Sequence, residues 1–184
     1  MDYNIGLVDI SGLCDPRDVT AVISENPYWL QMSIPETLNI PTQKPDMEQI
    51  NSVNVSVNIL RQEVIKVPES ATVNGELQPN LEGKISTGRK IIVEGELCQK
   101  IVYTANDEEQ SVHSAHFYVP FSSYIVVPKE VNISSDPTAT PVDSLNIHYQ
   151  VNACIEDVIV RMVDERTILK QVTMLVYAVP GKTV

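Results

Sequence analysis

Glycine is scarce in this chain. There are seven in 184 residues, and none sits in a G-x-x-x-x-G-K-[ST] loop or a G-x-S-x-G elbow. That removes the usual cradle for a nucleotide phosphate and the sharp turn that presents a serine nucleophile. Gly181-Lys182-Thr183 resembles the tail of a phosphate loop, but no glycine precedes it at the required distance. Basic residues are also few, 13 Lys and Arg against 24 Asp and Glu, for a net charge of −11. A surface of that sign repels phosphate backbones and anionic headgroups, so neither nucleic-acid nor membrane-surface binding is expected. No stretch approaches the ~20 apolar residues of a membrane span, so no membrane insertion is expected either. The chain begins Met1-Asp2 without a secretory signal, which points to synthesis in a cytoplasm. Cysteine occurs three times, as Cys14, Cys98 and Cys154, with no C-x-x-C pair. An odd number cannot all pair within one chain.

Candidate chemical groups are few, and each has a plain reading. His113 and His116 form an H-x-x-H, but in a strand residues three apart point to opposite faces and cannot share a metal. Asp107, Glu108 and Glu109 crowd one turn without the glycine and alternating oxygens of a calcium loop. The sequence therefore nominates no catalytic residue, no metal site and no cofactor, and the expectation is that the chain is not an enzyme.

The apolar fraction, 43%, suffices for a real core, and Val, Ile, Thr and Tyr are frequent while helix formers are sparse. The central stretch is Gly88 to Phe121, read as two long strands joined by the acidic turn Ala105–Gln110. In its first limb Ile91, Val93, Leu97, Ile101 and Tyr103 share a face, and Gly95 marks a bulge or a close backbone contact. Val53, Val55, Val57 and Ile59 alternate with Ser52, Asn54, Ser56 and Asn58, a half-buried strand that runs to about Val67. Asn74-Gly75 predicts a small hairpin in the loop that follows. Tyr124–Val127 reads as a separate short strand, and Ser134–Pro141 as a loop. Leu145–Ile155 alternates again, and the parity slips at Glu156-Asp157, as a bulge would make it. The turn Val163–Arg166 leads to a last strand with Ile168, Val172, Met174, Val176 and Ala178 on one face.

Residues 1–50 differ. Five prolines punctuate them, and eight acids face only Arg17 and Lys44. A helix is predicted over Pro16–Ser24 with Asp15 as cap, and a single helical turn over Pro45–Gln49. Yet Tyr28, Trp29, Leu30, Met32, Ile34, Leu38 and Ile40 are too apolar to be left in water. An extended arm over 1–50, docked through these seven residues, is therefore expected on a β domain over 51–184.

The organisation expected is all-β: a β-sandwich-like body of long antiparallel strands with an extended N-terminal arm. An immunoglobulin-type spacing is absent, because Trp29 lies in the arm. A faint repeat relates Val57-Asn58 and Val64-Ile65 to Val151-Asn152 and Val158-Ile159, and Arg89 to Arg166. It divides the body into two related strand-turn-strand units, about 53–127 and 142–180. The plain reading of the cysteines is three reduced, mostly buried thiols; if the arm reaches a neighbouring subunit, Cys14 is placed to cross-link to Cys98 or Cys154 there.

Three runs carry a family resemblance: IPETLNIPTQKPDMEQINSVNVSVNI (Ile34–Ile59), GRKIIVEGELCQKIVY (Gly88–Tyr103) and HFYVPFSSYIVVP (His116–Pro128). Together they resemble the SPOCS domain of spore-forming Firmicutes, found in proteins tied to spore-coat assembly. Better-known members add a LysM module, which this chain lacks. The resemblance supplies no catalytic residues. It implies a structural or binding protein made in the mother-cell cytoplasm and deposited on the spore surface. Two readings follow. One is a self-assembling subunit of a coat layer or appendage fibre, a homo-oligomer or polymer joined by its arm. The other is a monomeric module that recruits another coat protein or a glycan.

Overall fold

The computed structural model describes residues 8–134 and 138–183. Its long strands build two sheets packed face to face, an all-β sandwich. One sheet has the order β1-β3-β6-β7, from Asp9–Ser11, Met47–Glu69, Thr87–Ala105 and Val112–Val126. The other has the order β10-β11-β2, from Ile147–Met162, Thr167–Thr183 and Trp29–Asn39. The short pairs β4 (Thr72–Val73) with β5 (Glu76–Leu77), and β8 (Glu130–Val131) with β9 (Val142–Asp143), sit in the connections. Apart from the short parallel pair β1–β3, the pairings among the described residues are antiparallel. Helix α1 (Pro16–Glu25) is the one α-helix among the described residues. No helix there is long and apolar enough to cross a membrane.

The alternation in the sequence decides which side chains meet. Val53, Val55, Val93, Leu97 and Ile101 from the first sheet are buried against Ile168, Val172, Met174 and Val176 from the second. Outside the second sheet, α1 lays Val19 and Ile23 on Cys154, Leu175 and Tyr177. Asp15 caps the helix, its side chain accepting from the Arg17 amide at 2.9 Å.

Several local readings correspond to real features. Asn74 and Gly75 both have positive φ (52° and 86°), as a tight hairpin turn needs. The register of β10 against β11 shifts between Ile155 and Asp157, which places the bulge at Glu156. Gly95 is the close contact, and the bulge lies opposite it on β3, where Leu60 is the extra residue. The β3–β6 register shifts there, between Ile59 and Arg61, and a Cβ on Gly95 would lie 2.4 Å from Phe121 Cζ.

Other readings need correction. Pro45–Gln49 is not a helical turn, since β3 already begins at Met47 and the tight turn lies at Pro41–Lys44. Tyr124–Val127 is not separate, because β7 runs unbroken to Val126. Leu145 belongs to a short 3-10 turn, Ser144–Asn146, ahead of β10. The predicted Ser134–Pro141 loop falls partly outside the described residues, as do residues 1–7 of the arm.

Residue 50 is no structural border either. The expected arm supplies β1 to one sheet and β2 to the other, so it is woven into the sandwich rather than attached to it. The long strands of 53–127 lie in the first sheet and those of 142–180 in the second, each sheet being completed by a strand from the arm. Their registers are not superposable on the repeated residues: Val64 faces Ile91, whereas Val158 faces Val172 rather than Ile168.

Candidate functional site: the N-terminal strand and the seam it closes

Strand β2 pairs with β11 without a slip, from Trp29 opposite Tyr177 to Asn39 opposite Thr167. The arm therefore docks on its own chain. Six of the seven predicted docking residues face inward. Leu38 and Ile40 are buried, while Leu30, Met32 and Ile34 pack half-buried against the same core. The ring of Tyr28 meets Tyr149 edge to face at 6.1 Å, and its carbonyl accepts from the Ala178 amide. Trp29 is the exception. It lies on the opposite parity, 45% exposed.

Two arginines clasp two of the three places where the chain crosses between sheets. Between β2 and β3, Arg166 pairs with Asp46 and donates to the carbonyls of Pro41 (2.8 Å) and Ile40 (3.1 Å). Between β7 and β10, the buried Arg89 makes a two-pronged pair with Asp143 at 2.9 and 2.6 Å. Asp143 also accepts from the Leu145 amide. The Arg89 guanidinium, helped by that amide, holds the Asp143 carboxyl down at about 2. The faint likeness of Arg89 and Arg166 in the sequence thus corresponds to a shared task, although the strand registers around them differ.

Between the sheets lies a cluster that sequence reasoning passed over. Glu36 on β2 and Lys170 on β11 are cross-strand neighbours. Their side chains are 5% and 0% exposed, with Lys170 Nζ 3.6 Å from Glu36 Oε2. Gln99, on β6 of the facing sheet, donates from Nε2 to the same Glu36 oxygen at 2.8 Å. Glu36 Oε1, Gln99 Oε1 and Lys170 Nζ have no hydrogen-bond partner. Burial pulls Lys170 down to about 8 against the opposing pull of Glu36. The signal was present. Apolar sets Met32–Ile34–Leu38–Ile40, Leu97–Ile101 and Ile168–Val172 each skip one inward position, and the skipped residues are Glu36, Gln99 and Lys170.

The cysteines also need correction. Cys14 and Cys154 are not reduced thiols: they pair inside one chain, Cα to Cα 5.4 Å, and not with a cysteine of another subunit. This ties the start of α1 to β10. Cys98 is free, on the outward parity of β6, half-buried beside Glu96. Burial, then the Glu96 charge, raises its thiol. His113 stacks on Tyr103 and shares a hydrogen bond with Ser111, while His116 is exposed. No group of three or more His, Cys, Asp or Glu among the described residues is arranged to hold a metal.

A last feature is an open edge. β7 pairs only with β6, so one side of its fifteen residues has no strand partner among those described. It contains no Asp, Glu, Lys or Arg, and it exposes Tyr118 and Tyr124 on its outer face.

The family model described as SipL, SPOCS domain covers residues 46–163, from the start of β3 to the end of β10. It leaves out β2 and β11, the strands whose pairing holds the arm. No curated protein and no solved structure matches the chain. The family connects the chain with sporulation. A match over well more than half of the residues, on a sandwich whose long strands coincide with the runs that resembled it, means that the chain belongs to the SipL, SPOCS domain family.

Proposed function

We propose that this chain is a non-enzymatic structural protein of the spore surface, a subunit of a coat layer or an appendage fibre that associates with further copies of itself. It is made in the mother cell and deposited on the spore. The observation that carries this reading is the β7 edge. Long edge strands are ordinarily blunted with charge, because their unpaired amides and carbonyls invite another strand. β7 has fifteen residues, no formal charge and only Pro120 as a break. Strand addition at this edge joins copies without any change inside the sandwich. The arm is the less suitable connector, since its apolar side chains are already used within the chain. Exchange of β2 between neighbours would repeat its pairing in trans, but the Cys14–Cys154 bond tethers the preceding segment to its own β10.

A second reading, the monomeric module, is favoured by the same inward docking of the arm. In it the β7 edge receives an extended segment of another coat protein. Light scattering and electron microscopy of the purified protein separate the two. The first reading expects oligomers or fibres that Tyr118→Lys with Ser122→Lys disperses into folded monomers. A wild-type protein that stays monomeric at high concentration favours the module. Assembly that survives both lysines removes the edge from the account.

A further inference from the structure

We propose that Lys170 and Gln99 become joined by an intramolecular amide bond, formed when the lysine amine attacks the glutamine side-chain carbonyl and ammonia leaves, with Glu36 carrying the proton between them. The proposal does not depend on assembly. It starts from a cost. An ammonium, a carboxylate and a primary amide are enclosed between two apolar sheets, and three of their polar atoms make no hydrogen bond. Breaking such a set is destabilising, but keeping it is poorer than an apolar core of the same volume. A function that needs these three groups in one dry place accounts for the arrangement.

The geometry places one carboxylate between the attacking and the leaving nitrogen. Glu36 Oε2 lies 2.8 Å from the nitrogen that would leave, Gln99 Nε2, and 3.6 Å from the nitrogen that would attack, Lys170 Nζ. One carboxylate oxygen facing both nitrogens is where a proton shuttle has to stand. The amine must be neutral to attack, and its burial between the two sheets favours that form. Amines do not displace ammonia from amides in water at a useful rate. Groups fixed in a well-aligned pair gain an effective concentration of roughly 10^5–10^8 M, which changes that expectation.

The step balances. The Lys170 ammonium gives one proton to the Glu36 carboxylate. The freed Nζ lone pair forms a bond to Gln99 Cδ, and the carbonyl π pair moves onto oxygen. Glu36 hands its proton to Nε2 and takes one from Nζ. The oxygen pair then returns as the C–N bond to Nε2 breaks, releasing ammonia. The ammonia takes the proton left on Glu36 and departs as ammonium, so Glu36 ends as it began. No oxidant, metal or second substrate enters. The product ties β6 of one sheet to β11 of the other, across the layer between the sheets.

The test is the intact mass of the full-length protein, folded, held above pH 8, then reduced and alkylated, followed by mapping of protease fragments. The expected result is a chain lighter by one ammonia, with a branched fragment joining the Gln99 and Lys170 peptides, and a Lys170→Met variant at its full sequence mass. Glu36→Gln should retain the full mass while keeping the wild-type circular dichroism. A folded wild type at its full sequence mass overturns the proposal, and that measurement needs no variant to fold. So does a chain lighter by one water with Lys170 joined to Glu36, which would make the carboxyl the acceptor. Loss of ammonia that maps only to Asn74-Gly75 would be a backbone succinimide and counts against it equally.

Discussion

Truncating Leu38 to alanine examines the inward docking of the arm directly. Leu38 is 6% exposed, pairs with Ile168 across the β2–β11 ladder and belongs to the main core. Removing it leaves a cavity between sheets held by strands on either side, so the usual Leu→Ala range of about 2–5 kcal/mol applies. A central value of about 3 kcal/mol lowers the melting temperature of a domain this size by roughly 6–12 °C. The neighbouring Thr37 points out of the sandwich, and Thr37→Ala should cost no more than about 1 kcal/mol, the strand-propensity term. The assay is thermal unfolding followed by circular dichroism across a wide range of protein concentrations. Measured in the Tyr118→Lys, Ser122→Lys background, where association at the β7 edge is removed, docking within one chain predicts a melting temperature independent of concentration, while an arm borrowed from a neighbour predicts one that rises with it. Equal losses for Leu38→Ala and Thr37→Ala, or a concentration-dependent transition, would refute the reasoning.

Three other outcomes follow from single contacts. Asp143 titrates at about 2 in the folded chain, below its ordinary value, so its pairing with Arg89 stabilises the fold above about pH 4 and is lost as pH falls through about 2; Asp143→Asn should flatten that part of an acid-unfolding curve by on the order of 1–2 kcal/mol, given the solvent that reaches the pair. Cys14→Ser opens a cross-link between residues 140 apart, which on the chain-entropy account is worth at most about 5 kcal/mol; denaturant unfolding should show a loss of about 2–5 kcal/mol, and the unreduced, denatured wild type should take up one thiol label, on Cys98. Gly95→Ala puts a methyl 2.4 Å from the Phe121 ring and 3.0 Å from the Asn58 carbonyl, and should cost about 1–3 kcal/mol, partly recovered by adding Phe121→Leu.

How much of this was legible depended on whether the cause was local. Asp15 as a cap, Asn74-Gly75 as a turn and the slip at Glu156 are each fixed by a few consecutive residues, and each is where the alternation places it. Pro45–Gln49 misled because Asp46 and Glu48 look like the acids of a first helical turn. Both serve distant partners instead: Asp46 answers Arg166 and Glu48 accepts from Gln110, while Met47 is wholly buried. The apolar residues of the arm were read correctly as needing cover, but their partner strand is more than a hundred residues away, and nothing local says that it belongs to the same chain. The cluster of Glu36, Gln99 and Lys170 was hidden differently. Each residue, alone, looks like a pause in an apolar stripe, and only the sheet packing brings the three pauses together. The free edge of β7 is likewise a fact of strand order, which no periodicity encodes.

Amide hydrogen exchange, resolved by residue on the purified protein, tests the central claim most directly. The account predicts that amides of residues 29–39 bonded to β11 exchange as slowly as those of the buried strand β6. It also predicts that outward amides of β7 exchange quickly in the monomer and become protected once copies associate. Free-peptide exchange rates across 29–39 would contradict it, because the sandwich would then lack the strand on which its seam depends.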